Sequence, residues 1–292
     1  MQKSVRLKSF ELFGRDIHDV DVELLHALSI SVGWPHRSKD WELLLSIGHG
    51  IVAVDGIGRV FGSAMWFPQG DDFATIGLVI TTPRIQAEGG GRWLMNQILE
   101  QCANRNLALN ATHAAYSLYV SQGFTSEGIV YMRQGEAPQL FPPTPPPEGK
   151  LTELSNESLS EITSLDARAF GSDRSSVLAA LSADATISVL HRCGEAVGYS
   201  ICREFGGGFV IGPIVAQNDQ DAVHLAAAHL KKLQGRLVRV DTRERSGVFA
   251  TFLEKSGLVV GDSVTTMSIG RRFLNREGNG LRVFGLAGHA LS

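Results

Sequence analysis

A run of three glycines, Gly89 to Gly91, opens a segment whose apolar spacing is that of a helix. Before it stands Phe73 to Thr82, which is rich in β-branched residues and carries no charge, so we expect a buried strand that ends at Pro83. Glycine lets a backbone approach a ligand closely, because it has no Cβ. Free N–H groups at a helix N-terminus attract anions, since the helix dipole points the same way. The spacing therefore predicts a site for a phosphate-bearing ligand.

The elements that would position this loop follow one another through residues 1 to 134. Hydrophobic periodicity and turn residues predict their bounds. Strands are expected over residues 4–10, Gly50–Asp55, Arg59–Phe67, Phe73–Thr82, Leu107–Ala111 and Phe124–Arg133. Helices are expected over Asp16–Ser31 with Asp16 as cap, from residues 38–40 to Gly48, and over Arg92–Gln101 and Ala114–Gln122.

A proline-rich segment, residues 135–150, then interrupts the pattern with six of the ten prolines. Such a segment stays extended and cannot join a central sheet, so it predicts a semi-rigid linker to a second domain over residues 151–292. Helices are expected there over Ser155–Phe170, Arg174–Ser182, Ala222–Gln234 and Val248–Lys255, the third after a polar loop at Gln217–Asp221. Strands are expected over Ala185–His191, Glu195–Arg203, Gly208–Ala216, Arg236–Asp241 and Leu258–Ile269. This order matches the first half and predicts two diverged copies of one α+β unit.

Composition narrows the class of protein further. The chain has 292 residues, of which 43% are hydrophobic and 20% charged, as is typical of a soluble globular protein. A net charge of −3 gives no electrostatic footprint for nucleic acid or for an anionic membrane. We find neither a bilayer-spanning apolar run nor a signal peptide. Three cysteines without metal-type spacing, Cys102, Cys193 and Cys202, predict a reduced, cytoplasmic protein with no bound metal.

Two segments of the first half resemble the GNAT superfamily of N-acetyltransferases. Pro83 to Gly91, with the sequence PRIQAEGGG, resembles the pyrophosphate loop of that superfamily. Leu109 to Phe124, with the sequence LNATHAAYSLYVSQGF, resembles the strand and A-x-x-L-Y-x-x-x-G-F signature that follow it. A glycine pattern alone is weak evidence for a family, but the second signature stands at the expected distance along the chain from the glycine loop. The second half is similar to the C-terminal module of tandem GNAT proteins in AFGSDR (169–174) and IGPIVA (211–216).

The resemblance implies acetyl-CoA as the donor and an amine as the acceptor. Loop amides, with Arg92, would bind the pyrophosphate. The strand before the loop would splay from Leu107–Ala111, so that its exposed backbone holds the pantetheine and polarises the thioester carbonyl. Thr112 stands where the family often has a CoA-contacting asparagine, and Asn110 is a neighbouring candidate. The residues that the resemblance assigns to acetyl-CoA are Val79, Ile80, Thr81, Gln86, Ala87, Glu88, Gly89, Gly90, Gly91, Arg92, Asn110 and Thr112.

Tyr119 falls on the position that the superfamily uses as a general acid. A phenol with a pKa of about 10 stays protonated at neutral pH and can donate its proton to a departing thiolate. Packing of the ring in the core is the alternative role for this residue. The general base is not identified by the sequence: a positioned water or a carboxylate such as Glu42, Asp71 or Asp72 would serve.

The acceptor pocket of this fold is usually built near the turn that contains Trp34, His36 and Arg37, so these residues are candidates for substrate contact. Surface positions beside a proline turn are the alternative. In the second half Phe170, Asp173 and Arg174 could contribute, although a helix cap by Asp173 beside a solvated Arg174 is favoured.

The second copy departs from the CoA pattern. Asp219, Ala222 and His224 stand where the first half has Gln86, Gly89 and Gly91, and Leu253 stands where it has Tyr119. A carboxylate would repel a diphosphate, and the added side chains would crowd it. We therefore expect one CoA site per chain and a second half that packs on the first and helps to wall the acceptor site.

Together these features predict an α+β protein with two tandem GNAT-like domains, each a mixed, mostly antiparallel sheet flanked by helices. The predicted activity is acetyl transfer from acetyl-CoA to the amine of a small-molecule or amino-acid-like acceptor by direct attack. Acetylation of protein lysines or N-termini is the alternative among enzymes, and a non-catalytic acyl-CoA sensor is the alternative outside them. No nucleic acid or membrane partner is expected, and monomer and homodimer both stay open.

Overall fold

The computed structural model describes residues 3–7, 10–86, 88–145, 147–154, 159–274 and 280–292. Four predictions fall partly outside these residues. They are the strand over residues 4–10, the assignment of Ala87 to the phosphate loop, the linker over residues 135–150 and the start of the helix expected from Ser155. All statements about the structure refer to the described residues.

The first half alternates strands and helices in the predicted order. Its strands are β1 (Ser4–Leu7), β2 (Phe10–Asp16), β3 (His49–Val54), β4 (Val60–Gln69), β5 (Phe73–Thr81), β6 (Asn106–Ala111) and β7 (Thr125–Glu136). Its helices are α1 (Val22–Ser31), α2 (Ser38–Ile47), α3 (Gly90–Gln101) and α4 (Tyr116–Val120), with 3₁₀ turns at Ile17–Asp19 and His113–Ala115.

The second half repeats this order with two differences. One strand, not two, precedes its first helix, and an added strand follows its last helix and strand. Its strands are β8 (Lys150–Leu154), β9 (Thr186–Arg192), β10 (Glu195–Phe205), β11 (Gly208–Ala216), β12 (Leu237–Thr242), β13 (Val259–Ile269) and β14 (Arg282–Gly285). Its helices are α5 (Ser160–Phe170), α6 (Ser175–Ser182), α7 (Asp219–Leu230) and α8 (Val248–Lys255).

The α+β class and the mixed, mostly antiparallel sheet are confirmed, whereas several predicted bounds are wrong. The helix expected from Asp16 begins at Val22, because Asp21 caps it by accepting from the amide of Glu23 at 3.0 Å. The polar loop expected at 217–221 is the first turn of α7, which Asn218 caps through the amide of Asp221. Strands β2, β8 and β14 were not predicted, since they are short or lack a clear period of two.

The strands of the two halves form one continuous sheet, in the order β1-β2-β3-β4-β5-β6-β13-β7-β12-β11-β10-β9-β8. The halves exchange strands at its centre. β13 of the second half lies between β6 and β7 of the first, and β7 pairs on its other edge with β12. The strand pairs β5–β6 and β11–β12 are parallel, and the others are antiparallel. The predicted linker, 135–150, has both ends inside strands, because β7 runs to Glu136 and β8 begins at Lys150.

A core cluster contains residues of both halves, so the second half packs on the first as expected. Trp41, Phe67 and Phe73 of the first half belong to the same cluster as Phe170 and Phe273 of the second. The rings of Phe73 and Phe273 are stacked, with centroids 5.7 Å apart. Burial of aromatic rings on this scale is a large stabilising term, which ties the halves together.

A buried ion pair lies at this junction. The guanidinium of Arg174 is 3.4 Å from the carboxylate of Asp166, and both side chains are fully buried. Asp166 also accepts a hydrogen bond from the hydroxyl of Tyr199, and Arg174 lies 3.5 Å from the ring centroid of Phe170. The expectation of a solvated Arg174 is therefore wrong. The cap by Asp173 is confirmed, because its carboxylate accepts from the amide of Ser175 at 2.9 Å.

We expect Arg174→Met to lower the free energy of unfolding by about 3–5 kcal/mol, because it leaves a buried carboxylate without its cation. Urea denaturation measures the change. The double variant Arg174→Met/Asp166→Asn should recover most of the loss, and Arg236→Met, at an exposed arginine, is the control. Equal stability of Arg174→Met and the unmodified chain would contradict this account.

Candidate active site

A cavity of about 400 Å³ opens where β5 and β6 separate. The parallel ladder between these strands joins Phe73–Ile76 to Asn106–Leu109 and ends there. The splay that the family resemblance implies is thus present. The wall of the cavity combines first-half residues with residues of β7, β10, β12, β13 and the segment 287–291.

A bulge in β5 faces this cavity. Leu78 has a φ of +51°, a left-handed conformation that costs a non-glycine residue roughly 1–2 kcal/mol. The register between β4 and β5 shifts at this point, and the buried hydroxyl of Ser63 donates to the carbonyl of Leu78 at 2.7 Å. Strain of this kind persists only where the surroundings fix it, and it is concentrated at functional sites. Leu78 and Val79 line the cavity.

The remaining strand residues assigned to acetyl-CoA are placed differently. Ile80 is buried, and neither it nor Thr81 lines the cavity. The carbonyl of Thr81 accepts a hydrogen bond of 3.0 Å from the side chain of Gln86. Gln86 therefore ties the loop to the end of β5.

The glycine loop ends in a helix N-terminus, as predicted. Gly89 has a φ of +96° and precedes α3, a conformation that favours glycine. The amide of Trp93 makes the first helical hydrogen bond, to the carbonyl of Gly89 at 3.0 Å. The amides of Gly90, Gly91 and Arg92 come before it, so they belong to the part of a helix that lacks internal acceptors. This end of α3 can bind an anion.

Three other loop residues contact their neighbours without strain. A Cβ at Gly91 would lie 3.4 Å from the side chain of Leu118, an ordinary van der Waals contact, so packing does not require glycine at this position. The guanidinium of Arg92 donates to the hydroxyl of Ser121 at 2.9 Å. Glu88 is partly exposed, and its amide donates to the carbonyl of Ile85 in a turn, at 3.4 Å.

Tyr119 lines the cavity from α4 and is 5% exposed. Its ring packs edge-on against Phe124, with centroids 5.9 Å apart. Burial raises the pKa of Tyr119, so the phenol is protonated at neutral pH. Its hydroxyl makes no hydrogen bond within the described part of the chain, which leaves it available to a ligand.

Asn110 lies at the end of β6, but the C-terminal segment occupies its amide. Its Nδ2 donates to the carbonyl of His289 and to the hydroxyl of Ser292, both at 2.9 Å. Its Oδ1 accepts from the hydroxyl of Thr266 at 2.7 Å. Asn110 thus holds the wall of the site in place, and both Asn110 and Thr112 line the cavity.

The turn between α1 and α2 brings two of the three predicted acceptor residues to the cavity. Trp34 and His36 line it, whereas Arg37 does not. The guanidinium of Arg37 instead donates to Asp40 at 3.1 Å and to Glu204 of β10 at 3.0 Å. The Arg37–Glu204 ion pair joins the two halves beside the site.

Burial lowers the pKa of His36 to about 4, so its imidazole is neutral at pH 7. The ring lies 5.7 Å from that of Trp34 and 5.2 Å from that of Phe205, centroid to centroid. Its Nδ1 is buried without a hydrogen-bond partner among the described residues. A neutral imidazole can accept a hydrogen bond or a proton.

The carboxylates considered as bases do not lie in this cavity. Glu42 lines a different cavity, of about 650 Å³, between the two halves. Asp72 is exposed and pairs with Arg271 at 3.3 Å, and Asp71 is also exposed. The acids that line the cavity are Asp40, which is engaged by Arg37, and the exposed Asp262.

The second half supplies three basic side chains that sequence reasoning missed: Arg203, Arg239 and His289. Arg239 makes two hydrogen bonds to Asp241, of 2.8 and 2.7 Å, and its Nη2 lies 3.1 Å from the Nε2 of His289. His289 and Arg239 together hold the pKa of Asp241 well below its usual range. For Arg239 the available signal was an arginine between two valines in a strand, and His289 had no such signal.

The equivalent cleft of the second half is filled by the chain itself. β11 and β12 pair only at Phe209–Val210, and β14 then pairs with β11 from Ile214 to Ala216. The amide of Leu286 donates to the carbonyl of Asp241 at 2.8 Å. At the former loop position, Asp219 lies 3.5 Å from the guanidinium of Arg282.

The other positions at which the second half departs from the CoA pattern are buried. Ala222 and His224 lie within α7, where the side chains are 0% and 7% exposed, and Leu253 is 0% exposed in α8. The same topology therefore gives an open cleft in the first half and a filled one in the second.

Two segments of the chain match families of known proteins. Residues 22–124 match the acetyltransferase (GNAT) family, and residues 162–281 match a second acetyltransferase (GNAT) domain. The two matches together cover well over half of the chain. The protein belongs to the GNAT superfamily of acetyltransferases.

Within that superfamily it is a tandem GNAT protein. It is 27% identical over 229 residues to the uncharacterized N-acetyltransferase YitH of Bacillus subtilis, a match that covers 77% of this chain and 80% of that protein. A provisionally assigned acetyltransferase from Pyrococcus horikoshii has the same fold, with a TM-score of 0.78 over 100% of this chain and 99% of that one, at 19% identity. A tandem GNAT protein of clavulanic acid biosynthesis has a TM-score of 0.60 over 89% and 99% of the chains, at 14% identity.

Two further observations concern metal ligands and membrane-spanning helices. No group of three or more potential metal ligands occurs among the residues that the structure describes. Nor is any described helix long and apolar enough to cross a membrane.

We expect the stability of the protein to fall as the pH drops from 6.5 toward 4, in part because of His36. The pKa of this imidazole is lower in the folded protein than its ordinary value of 6.5, so in this range the unfolded chain binds a proton that the folded one excludes. His36→Phe should reduce the loss, measured as the change in melting temperature between pH 7 and pH 4.5. Burial also lowers the pKa of His229 to about 4, so the melting temperature of the variant should still fall somewhat with pH. Identical slopes for the variant and the unmodified chain would refute the assignment.

Proposed function

We propose that this protein is an acetyl-CoA-dependent N-acetyltransferase that acts on a small amine. The observation that carries the proposal is that the strained bulge at Leu78 and Tyr119 line one cavity, which opens where two parallel strands part. Walls from both halves and a volume of about 400 Å³ favour a small acceptor over a folded protein substrate.

The first half would hold the donor. The amides at the start of α3, preceded by Gly89, fit a pyrophosphate, and Arg92 adds a positive charge. The backbone of β5 beyond Ile76, freed from β6, fits the pantetheine arm. Bound acetyl-CoA would supply an acetyl thioester, whose carbonyl is the electrophile and whose thiolate is the leaving group.

The residues around the bulge would then assist the attack of the amine. Backbone N–H groups of Leu78 and Val79 would stabilise the negative charge that develops on the carbonyl oxygen. Tyr119 keeps its proton because burial raises its pKa, and it would donate that proton from its hydroxyl to the departing sulfur. Neutral His36 would accept a hydrogen bond from the amine and orient it. As the C–N bond forms and the C–S bond breaks, the nitrogen loses one proton, which would return to the phenolate of Tyr119 through solvent.

We expect Tyr119→Phe to lower kcat by roughly 10²-fold or more, because it removes the proton donor and keeps the ring. The affinity for acetyl-CoA, measured by calorimetry, should stay within a few-fold. The matched control is Tyr116→Phe on the same helix, whose side chain is partly exposed and lines no part of the cavity.

The assay is a panel of small amines with acetyl-CoA, read by release of free thiol. An amine that gives Tyr119-dependent thiol release would support the proposal. Tight acetyl-CoA binding without turnover of any amine would instead identify an acyl-CoA sensor.

We also expect calorimetry to give one acetyl-CoA per chain, because β14 fills the second cleft. Gly89→Ala should weaken this binding, since alanine is strained at a φ of +96°. Two equal sites per chain would contradict the proposal that the second half has lost its donor site.

A further inference from the structure

We propose that the acceptor amine carries an anionic group, a carboxylate or a phosphate, which Arg203 binds together with Arg239 at the second-half wall of the cavity. The inference deepens the proposed function and rests on it for the reaction. Its observations, however, concern a binding site that can be tested separately.

Arg203 is a buried cation without a counter-ion. It is 8% exposed, and its guanidinium makes no ion pair with any carboxylate of the described residues. Nη2 donates to the carbonyl of Ala287 at 2.9 Å, and Nη1 donates to the carbonyl of Glu204 at 3.4 Å. Nε is buried and has no hydrogen-bond partner among the described residues. Burying an unpaired charge is costly, so a ligand anion would relieve this site.

The two carboxylates whose charge acts on Arg203, Asp40 and Asp241, are hydrogen-bonded to other donors. Asp241 accepts from Nε and from Nη2 of the neighbouring Arg239. Asp40 accepts from Arg37 and from the amide of Gly206 at 3.1 Å. Burial lowers the pKa of Arg203 to about 10, although the charge of Asp40 acts in the opposite direction, so the guanidinium is still charged at pH 7. Arg203 therefore presents a charged guanidinium to the cavity with no directly paired carboxylate among the described residues.

The geometry suits a planar or tetrahedral anion. The guanidinium carbons of Arg203 and Arg239 lie 5.4 and 5.5 Å from the ring centroid of Phe205, so one aromatic ring supports both cations. The guanidinium fork matches the oxygen pairs of a carboxylate or a phosphate. Both arginines line the cavity that also contains Leu78 and Tyr119, so an amine on the same small molecule could reach the bulge.

The test compares acceptors that differ only in the anionic group. An α-amino acid is compared with its carboxamide and its decarboxylated amine, and an aminoalkyl phosphate is compared with its amino alcohol. We expect kcat/KM at least about 10-fold higher for the anionic member of one pair, and the pair that shows it identifies carboxylate or phosphate. Arg203→Met should raise KM for that acceptor about 10–100-fold, with little change for neutral amines or for acetyl-CoA affinity.

The controls separate a binding role from a structural one. Arg236→Met removes another arginine that packs on a phenylalanine, Phe209, but lies outside the cavity, and should leave KM unchanged. Arg203→Lys keeps the charge and should recover part of the affinity. A second measurement covers the case in which Arg203→Met does not fold. It tests whether carboxylates and phosphates that lack the amine inhibit the unmodified enzyme. Inhibition competitive with the acceptor is expected.

The failures of the two proposals are distinguishable. Equal turnover of anionic and neutral amines would overturn the anion site and leave the acetyltransferase proposal standing. Loss of acetyl-CoA affinity in Arg203→Met, with acceptor preference intact, would also overturn the anion site, because the arginine would then bind the donor. If no amine is acetylated, but anionic amines bind by calorimetry and lose that binding in Arg203→Met, the anion site stands and the transfer reaction fails.

Discussion

Parallel strands that separate leave backbone hydrogen-bonding groups that must find other partners, and the chain meets this constraint twice. β11 and β12 pair over two residues, and β14 supplies the missing partners. β5 and β6 pair over four residues and then part around a cavity. One arrangement gives a closed structural element and the other an open cleft, so the position of the C-terminal segment decides which half can hold a ligand.

The same segment then continues into the open cleft and shapes its wall. A Cβ at Gly77 would lie 2.5 Å from the Cβ of Ala290, so glycine is required for this approach. Asn110 of β6 binds the carbonyl of His289, and the exchange of β7 and β13 fixes the second half beside it. The halves are joined by a shared sheet and by a shared aromatic core, and neither half could move away without exposing both.

Local features of the fold could be predicted from the sequence, and long-range ones could not. The glycine loop, α3 and the position of Tyr119 follow from motifs of a few residues, and α8 and β11 have the predicted bounds. The strand exchange could not be foreseen, because β7 and β13 have the same alternation whichever half they join. β14 is four residues long, and its pairing with β11 spans about seventy positions of sequence. Arg203 and Arg239 belong to the site only because of this long-range pairing.

The charges of the site follow from that arrangement. The first half contributes groups that are neutral at pH 7, the buried Tyr119 and His36, because burial raises the pKa of the phenol and lowers that of the imidazole. The second half contributes fixed positive charge on two arginines, and this charge helps to keep the imidazole neutral. An anion bound by Arg203 would offset that charge and raise the pKa of His36. Under the proposed anion site, acceptor binding and the basicity of the imidazole would therefore be coupled through the wall that the second half provides.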